Sequence, residues 1–169
     1  ITGWNTSSCT RMDSMFRECS GFNYPIGIWD TSAVTNMGAM FYRHDGNMTF
    51  DQDIGNWDVS SVTNMGSMFA GNNYNPFNNG GSTGINNWDT SSCMNTYGMF
   101  HRCSGFNQPI GNWDTSKVVN MHDMFYRALS FNQPIGSWDT SSCTSMSQMF
   151  YNASEFDQDI GNWNVTGVT

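Results

Sequence analysis

The chain has 169 residues, of which 38% are hydrophobic and 12% charged, and its net charge is −8 with only six Lys and Arg. This length fits a single domain, and the acidic charge argues against a nucleic-acid partner because a phosphate backbone would be repelled. No segment approaches the run of about eighteen apolar residues that a membrane-spanning helix needs, so we expect no membrane span.

A repeat marked by tryptophan runs through the whole chain. The tryptophans are Trp4, Trp29, Trp57, Trp88, Trp113, Trp138 and Trp163, and a Met-Phe pair begins eleven residues after each of the first six. A period of this length is typical of a solenoid, in which each unit covers the apolar face of its neighbour. The sequence therefore predicts one solenoid over residues 1–169, of about six and a half repeats, with longer loops at 44–49 and 70–83.

The clearest repeat, at 106–128, begins with a segment that we expect to be extended. The run Gln108–Trp113 is too short and too interrupted by glycine to form a helix. Ile110 and Trp113 suggest a short strand, whose length Pro109 and Gly111 limit.

A short helix is predicted after Trp113. Asp114, Thr115 and Ser116 are suitable N-cap residues, because their side-chain oxygens accept hydrogen bonds from free N–H groups. The apolar residues that follow are separated by gaps of three and four, which is typical of one helix face, and they are Val118, Met121, Met124, Phe125 and Ala128.

One strand and one helix in each unit is the plan of leucine-rich repeats. We therefore expect an α/β repeat solenoid with short parallel strands on one face and short α or 3₁₀ helices on the other. Strands stack at ~4.8 Å and helices pack at ~8–10 Å, so α-helices would curve the stack, whereas 3₁₀ helices would leave it flatter. The sequence leaves this choice open.

The repeat also resembles a known family. The string Phe-Asn-Gln-Pro-Ile-Gly-Asn-Trp-Asp-Thr-Ser at 106–116, followed by Met-x-x-Met-Phe at 121–125, is similar to the BspA-like leucine-rich repeats of bacterial surface proteins and lipoproteins. The resemblance covers essentially the whole chain and implies a leucine-rich-repeat solenoid on an extracellular, often adhesive, protein. Members of this family differ widely in partner, so the resemblance implies no particular ligand and no catalytic residue.

An acidic residue follows most of the tryptophans, and Asn replaces it in the outermost repeats. The set is Asp30, Asp58, Asp89, Asp114 and Asp139, with Asn5 and Asn164 at the ends. Capping of successive helices is one interpretation, and a stripe that binds cations is the other. No EF-hand spacing is present, so we favour capping and predict no metal site and no cofactor.

The five cysteines follow the repeat. Cys9 and Cys93 lie five residues after a Trp, and Cys19 and Cys103 lie ten residues further on, so Cys9–Cys19 and Cys93–Cys103 are candidate disulfides. Ten residues of continuous helix would separate each pair by ~15 Å, beyond the ~7 Å that a bridge allows between Cα atoms. The alternative is that the thiols are small buried apolar groups.

Four Asn-x-Ser/Thr sequons are glycosylation candidates, at Asn5, Asn47, Asn152 and Asn164. The motif is short and arises by chance in a chain rich in Asn and Thr. Two observations strengthen the prediction of glycosylation. Asn47 lies in a loop, and Asn5 and Asn164 stand in place of the recurring Asp.

The longest insertion, 70–83, is the best candidate for a binding loop, because long loops in solenoids tend to carry recognition. Tyr74, Pro76 and Phe77 are the residues we expect to contact a partner. Phe77 has a second interpretation, as the displaced member of the Phe series in a unit where Gly81 stands at the usual Phe position.

No set of residues suggests catalysis. His44, His101 and His122 occupy three different positions in the repeat, and the Ser and Thr residues recur as caps without a matching base. We expect that the protein is not an enzyme.

The outermost repeats lack the polar caps that normally end a solenoid. We therefore expect either an excerpt of a longer array or subunits that stack end to end into a fibre. The predicted function is that of an extracellular or cell-surface structural protein, whose partner is another copy or neighbouring repeats. The alternative is an adhesin or receptor module that binds a host protein or a glycan through its insertion loops.

Overall fold

The predicted α/β class is wrong. The computed structural model describes residues 1–73 and 75–169, and in this part of the chain there is no α-helix and no β-strand. The regular elements are two short 3₁₀ helices. Asn79–Gly81 lies within the 70–83 insertion, and Thr83–Asn87 begins at its last residue. Within the same ranges no helix has the length and apolar character that crossing a membrane requires.

Consecutive reverse turns occupy the segment that was expected to be a helix. In the repeat of Trp113, the N–H of Val118 donates to the carbonyl of Thr115, that of Met124 to Met121, and that of Ala128 to Phe125. Each turn joins residues three apart, so the apolar residues at turn ends recur at the spacing of a helix face. This shared spacing explains why the apolar pattern predicted a helix.

Backbone angles within these turns exclude a right-handed helix. Asp123 and Arg127 have φ values of 58° and 54°, and the equivalent residues of other repeats are also left-handed, among them Ser14, Ala39, Ser67, Arg102, Gln148 and Asn152. Left-handed φ at one or two positions of each complete repeat interrupts a right-handed helix. The chain reverses direction at each of them instead.

The remaining backbone donors join one repeat to the next. Asp123 donates to the carbonyl of Ser147 at 3.0 Å, Phe125 to Met149 at 2.9 Å and Arg127 to Tyr151 at 2.8 Å. Donors alternate between a turn of their own repeat and the following repeat. An α-helix would use these N–H groups internally and leave none for the neighbour.

Among the described residues, parallel pairing between repeats is limited to single residues. All but one pair, Arg43–Gly71, lie seven positions after a Trp. The isolated parallel bridges in this series are Arg11–Asn36, Asn36–Asn64, Asn64–Asn95, Asn95–Asn120 and Asn120–Ser145. The strand expected at Gln108–Trp113 is instead a turn, closed by the bond from the N–H of Trp113 to the carbonyl of Ile110 at 3.2 Å. A Cβ at Gly111 would lie 2.6 Å from the carbonyl oxygen of Pro134, so this turn needs glycine to let the next layer approach.

Columns of aromatic rings form the centre of the stack. Six Phe at the Met-Phe position lie 5.6–5.7 Å apart from layer to layer, and they are Phe16, Phe41, Phe69, Phe100, Phe125 and Phe150. In each layer a second Phe stacks on the first, at 3.8 Å for Phe100 and Phe106. Trp88, Trp113, Trp138 and Trp163 form a parallel column with steps of 5.9, 6.5 and 6.2 Å.

Every indole from Trp29 onward also ties its layer to the one before it. The Nε1–H of Trp113 donates to the carbonyl of Ile85 at 2.8 Å, and the same bond recurs from Trp57 to Ile26 and from Trp138 to Ile110. The indole therefore supplies a hydrogen bond and buried apolar surface at once, which explains why Trp rather than Phe occupies this position.

Replacing Trp113 by Phe should lower the free energy of unfolding by about 1–3 kcal/mol, because the bond to Ile85 is lost and a cavity forms. Urea denaturation measures this change. The matched control is Trp4→Phe, since Trp4 is 52% exposed and its indole N–H makes no hydrogen bond within the described ranges. Equal losses in the two variants would contradict the assigned role of the indole.

Candidate functional site

Positive charge is concentrated along one edge of this acidic protein. Four of its six Lys and Arg lie thirteen or fourteen residues after a Trp, interleaved with aromatic residues. We call this set the cationic edge, and it consists of Arg17, Tyr42, Arg43, His101, Arg102, Tyr126, Arg127 and Tyr151. Stacking of equivalent positions brings these residues together from five layers, and the layer of Trp57 contributes none.

The rings of the cationic edge are themselves stacked. His101 lies 4.7 Å from Tyr126, and Tyr126 lies 4.8 Å from Tyr151, with interplanar angles of 7° and 13°. The guanidinium of Arg127 lies 5.8 Å from the centre of the Tyr126 ring. Cation and ring at this distance attract each other and hold the arginine close to the aromatic row.

An open groove of about 690 Å³ runs beside this edge across several layers. Its lining includes Asn72, Asn73, Arg102, Arg127, Leu129 and Asn152. Arg102 donates from Nη1 to the carbonyl of Asn72, which ties the insertion to the cationic edge. Arg127 is exposed and forms no ion pair with any residue that the structure describes.

Burial lowers the pKa of His101, which lies within the cationic edge. Its Nδ1 lies 3.2 Å from the carbonyl oxygen of Gly71. His44 pairs with Asp45 at 3.0 Å, and His122 lies 3.4 Å from Asp123 and stacks on Tyr97. The three histidines therefore do not share one site.

The structure places the expected loop contacts differently. Tyr74 lies outside the described residues, and Pro76 is partly buried. Phe77 is fully buried and stacks 3.8 Å from Phe69, so it belongs to the Phe column and is unsuited to contact a partner. Asn72 and Asn73 of the same loop line the groove instead, and nothing in their sequence pattern distinguishes them from other loop asparagines.

The recurring Asp side chains cap turns. Oδ1 of Asp114 accepts hydrogen bonds from the backbone N–H and the hydroxyl of Ser116, at 2.9 and 2.6 Å. Asn164 makes the same pair of bonds with Thr166, and Asn5 with Ser7, so the cap does not require a charge. Capping is therefore what these side chains do, but the elements they cap are turns rather than helices.

Four of these carboxyl groups accept hydrogen bonds from the Ser two residues later, and these bonds lower their pKa. The Ser hydroxyl contributes most to the shift, and the Ser backbone N–H contributes next. The four are Asp30, Asp89, Asp114 and Asp139. Like charge opposes the shift, since Asp114 raises the pKa of both Asp89 and Asp139. Across residues 1–73 and 75–169 no three His, Cys, Asp or Glu side chains are grouped so that they could hold a metal ion.

The comparison with protein families finds one match, to the family described as "Mycoplasma protein of unknown function, DUF285". It matches twice, over residues 1–82 and 72–169. The chain belongs to this family. The DUF285 match supports the BspA-like resemblance at the level of a repeat family. Neither the curated proteins nor the solved structures gave a match.

All five cysteines of this DUF285 chain are free thiols, so neither Cys9–Cys19 nor Cys93–Cys103 is bridged in the structure. Burial raises the pKa of the Cys93 thiol to about 11 and that of Cys103 well above its usual value. Cys103 contacts the carbonyl of Phe69 at 3.3 Å, within the core. These two thiols behave as small buried groups.

All four sequon asparagines are exposed: Asn5, Asn47, Asn152 and Asn164. Asn5 and Asn164 use Oδ1 in turn caps, whereas Asn152 lines the groove. A glycan on Asn152 would therefore stand at the groove, and glycosylation of the four sites stays a prediction.

Replacing Asp30, Asp89, Asp114 and Asp139 together by Asn should flatten the acid dependence of stability. The folded pKa values lie below the unfolded value of about 3.9, so these groups stabilise the fold above that pH. The contribution disappears as pH falls through the folded pKa values. Thermal unfolding from pH 7 to pH 2 measures the difference. The Asn side chains keep the turn caps, so only the charge is removed. If the unfolding temperature of the variant fell with pH as steeply as that of the unmodified chain, this account would be contradicted.

Thiol labelling tests the state of the cysteines. Exposed Cys19 should react at once with a maleimide, while Cys93 and Cys103 react only on unfolding, because they are buried and form little thiolate. Intact mass counts the labels in native buffer and in guanidinium. Denatured protein without reductant should take up five labels, and a lower count would show a disulfide.

Proposed function

We propose that this chain is a non-enzymatic, extracellular structural protein whose repeats join another repeat end to end, in a fibre or in a longer surface stalk. The observation that carries the proposal is the complementarity of the two end layers. It has a polar and an apolar component.

The polar component is a row of donors at one end and a row of acceptors at the other. Inside the stack, N–H groups eight to fourteen residues after a Trp donate to carbonyls seven to thirteen residues after the next one. In the last complete layer the N–H groups of Met146, Gln148, Phe150 and Asn152 find no acceptor within the described ranges. At the opposite end the carbonyls of Asp13, Met15 and Arg17 accept no hydrogen bond from any described residue, so the two rows match in position.

The apolar component is the pair of exposed ends of the aromatic columns. Trp4 and Met15 are exposed in the first layer, whereas Trp29 and Met40, at the equivalent positions of the second, are buried. Trp163 and Phe156 are only partly buried at the other end. A further layer would bury these surfaces by the contacts that the internal layers make, which favours a head-to-tail contact that does not close.

Two other features support a non-catalytic surface role. Ser hydroxyls that could act as nucleophiles donate to adjacent carboxylates, as Ser32 does to Asp30 at 2.6 Å. The BspA-like resemblance supports an extracellular location, and the four exposed sequons agree with it.

A second candidate function is adhesion, because the groove beside the cationic edge is open, is lined by both polar and apolar side chains, and is bordered by the 70–83 insertion. A glycan or a host surface protein would be the partner. The two functions share Phe150 and Asn152 of the last complete layer, whereas Arg102 and Arg127 belong to the groove alone and Trp4 and Met15 to the end-to-end contact alone.

The purified chain should form filaments or short stacks at high concentration, visible by negative-stain electron microscopy and by sedimentation. The double variant Trp4→Lys/Met15→Lys should remain monomeric, because stacking would bury two charges without partners. Neither side chain is buried in the monomer, so the variant should fold.

The control is Ile28→Lys, which adds a charge on the side of the stack, at a residue 76% exposed. It should assemble like the unmodified chain. Monomers of the unmodified chain at every concentration, or assembly by the double variant, would overturn the end-to-end contact.

A further inference from the structure

We infer that the groove beside the cationic edge binds a carboxylate-bearing saccharide. This inference rests on the second candidate function, adhesion, and names the chemistry of its ligand. It does not depend on end-to-end assembly.

The charge of the groove selects an anion. Arg102 and Arg127 line it in a protein whose net charge is −8. Among the described residues the ion pairs are Arg11–Asp13, His44–Asp45 and His122–Asp123, so no carboxylate neutralises either groove arginine. A guanidinium donates two parallel hydrogen bonds to a carboxylate. Arginine is therefore the preferred side chain for binding a carboxylate.

The uncharged part of the lining fits a ligand rich in hydroxyl groups. Asn72, Asn73 and Asn152 offer amide donors and acceptors, and Ser104 and Ser154 offer hydroxyls. Leu129, Phe150 and Ala153 add an apolar floor that suits the C–H face of a sugar ring. The volume of about 690 Å³ falls within the ~300–1,000 Å³ of common ligand sites.

A peptide ligand is less favoured, because the backbone N–H groups that border the groove are paired in the internal layers, and those without an acceptor among the described residues, of Phe150 and Asn152, belong to the last complete layer. Arg127 donates to the carbonyl of Tyr151 at 2.8 Å, and Arg102 to that of Tyr126 at 2.7 Å. Ser130 and Glu155 donate in turn to the carbonyls of Ser104 and Leu129. Internal layers therefore present no row of free donors for an extended chain, and recognition falls to side chains.

A phosphate polymer is also disfavoured. Nucleic acid carries about one charge per 1.7 Å of duplex, and the acidic surface of this chain would repel that density over its whole length. A saccharide with single carboxylates spaced by neutral hydroxyls suits two arginines separated by amides. The widely spaced carboxylates of the ligand thus match the two separated arginines of the groove.

The two arginines have different parts in this site. Arg102 is partly buried and holds the insertion through the carbonyl of Asn72, so it positions one wall of the groove. Arg127 is exposed and its guanidinium makes no hydrogen bond to any residue that the structure describes, which leaves it available to the ligand. Arg127 is therefore the residue to change first.

The test is calorimetric titration with trigalacturonate and with its methyl ester, which keeps the hydroxyls but removes the charge. The chain should bind trigalacturonate and bind the ester at least about tenfold more weakly, the loss expected for a charged hydrogen-bonded contact. The substitution Arg127→Asn should weaken trigalacturonate binding by a similar factor. Asn suits this backbone, since Asn152 occupies the equivalent position with φ of 54°.

The matched control is Lys117→Ser, which removes one positive charge away from the groove and introduces the residue found at the equivalent Ser92 and Ser142. It should bind as the unmodified chain does. Arg127→Lys, which keeps the charge but not the fork, should bind between the two. Circular dichroism before titration establishes that each variant is folded.

Four results would overturn the inference: no binding of trigalacturonate, equal binding of the ester, an equal loss in Lys117→Ser, or stronger binding of hexaglutamate. Displacement by equimolar inorganic phosphate would also overturn it, since it would mark a simple anion site. The double variant Trp4→Lys/Met15→Lys separates the two proposals. It should lose assembly and keep binding, so failure of either property leaves the other standing.

Discussion

The division of backbone N–H groups between a turn and the next layer is the constraint on which the whole structure depends. Donors such as Met124 and Ala128 close turns within their own repeat, and the donors between them, such as Phe125 and Arg127, pair with the following repeat. Buried N–H groups must find acceptors, so a single repeat leaves half of this segment unpaired. Stability therefore arises between layers, and an isolated repeat has no complete structure of its own.

The side chains also make their main contacts between layers. Stacked Phe rings and indoles bury apolar area between layers, while the Nε1–H of Trp113 bonds the carbonyl of Ile85 in the layer before. The amide of Asn64 bonds that of Asn36 at 3.0 Å, and the hydroxyl of Thr115 bonds the carbonyl of Asp139 at 2.9 Å. Most recurring residues of the repeat are thus explained by contact with their own copy one layer away.

Residues at the edge of the stack, outside the Phe and Trp columns, carry the features with functional potential. The positions thirteen and fourteen after a Trp hold residue types as different as Arg, Tyr, His, Asn, Glu, Ala and Gly, because the ladder needs only their backbone. The 70–83 insertion, anchored by buried Phe77 in the Phe column, adds Asn72 and Asn73 beside that edge. The rigid layers hold the variable residues of the edge in fixed positions. A structural protein with this arrangement can also recognise a ligand.

The sequence by itself determined the period, the residues of the aromatic columns and the capping by Asp114 and its equivalents, because each leaves a mark at a constant spacing. It did not determine the conformation between them, since turns and helices both place apolar residues three or four apart. Only the tertiary structure decided that choice, through left-handed Asp123 and Arg127 and through donors that bond the next layer. The groove was equally hidden, because it joins Asn72, Arg102 and Arg127 from separate repeats, and the buried position of Phe77 depends on neighbours that local sequence does not contain.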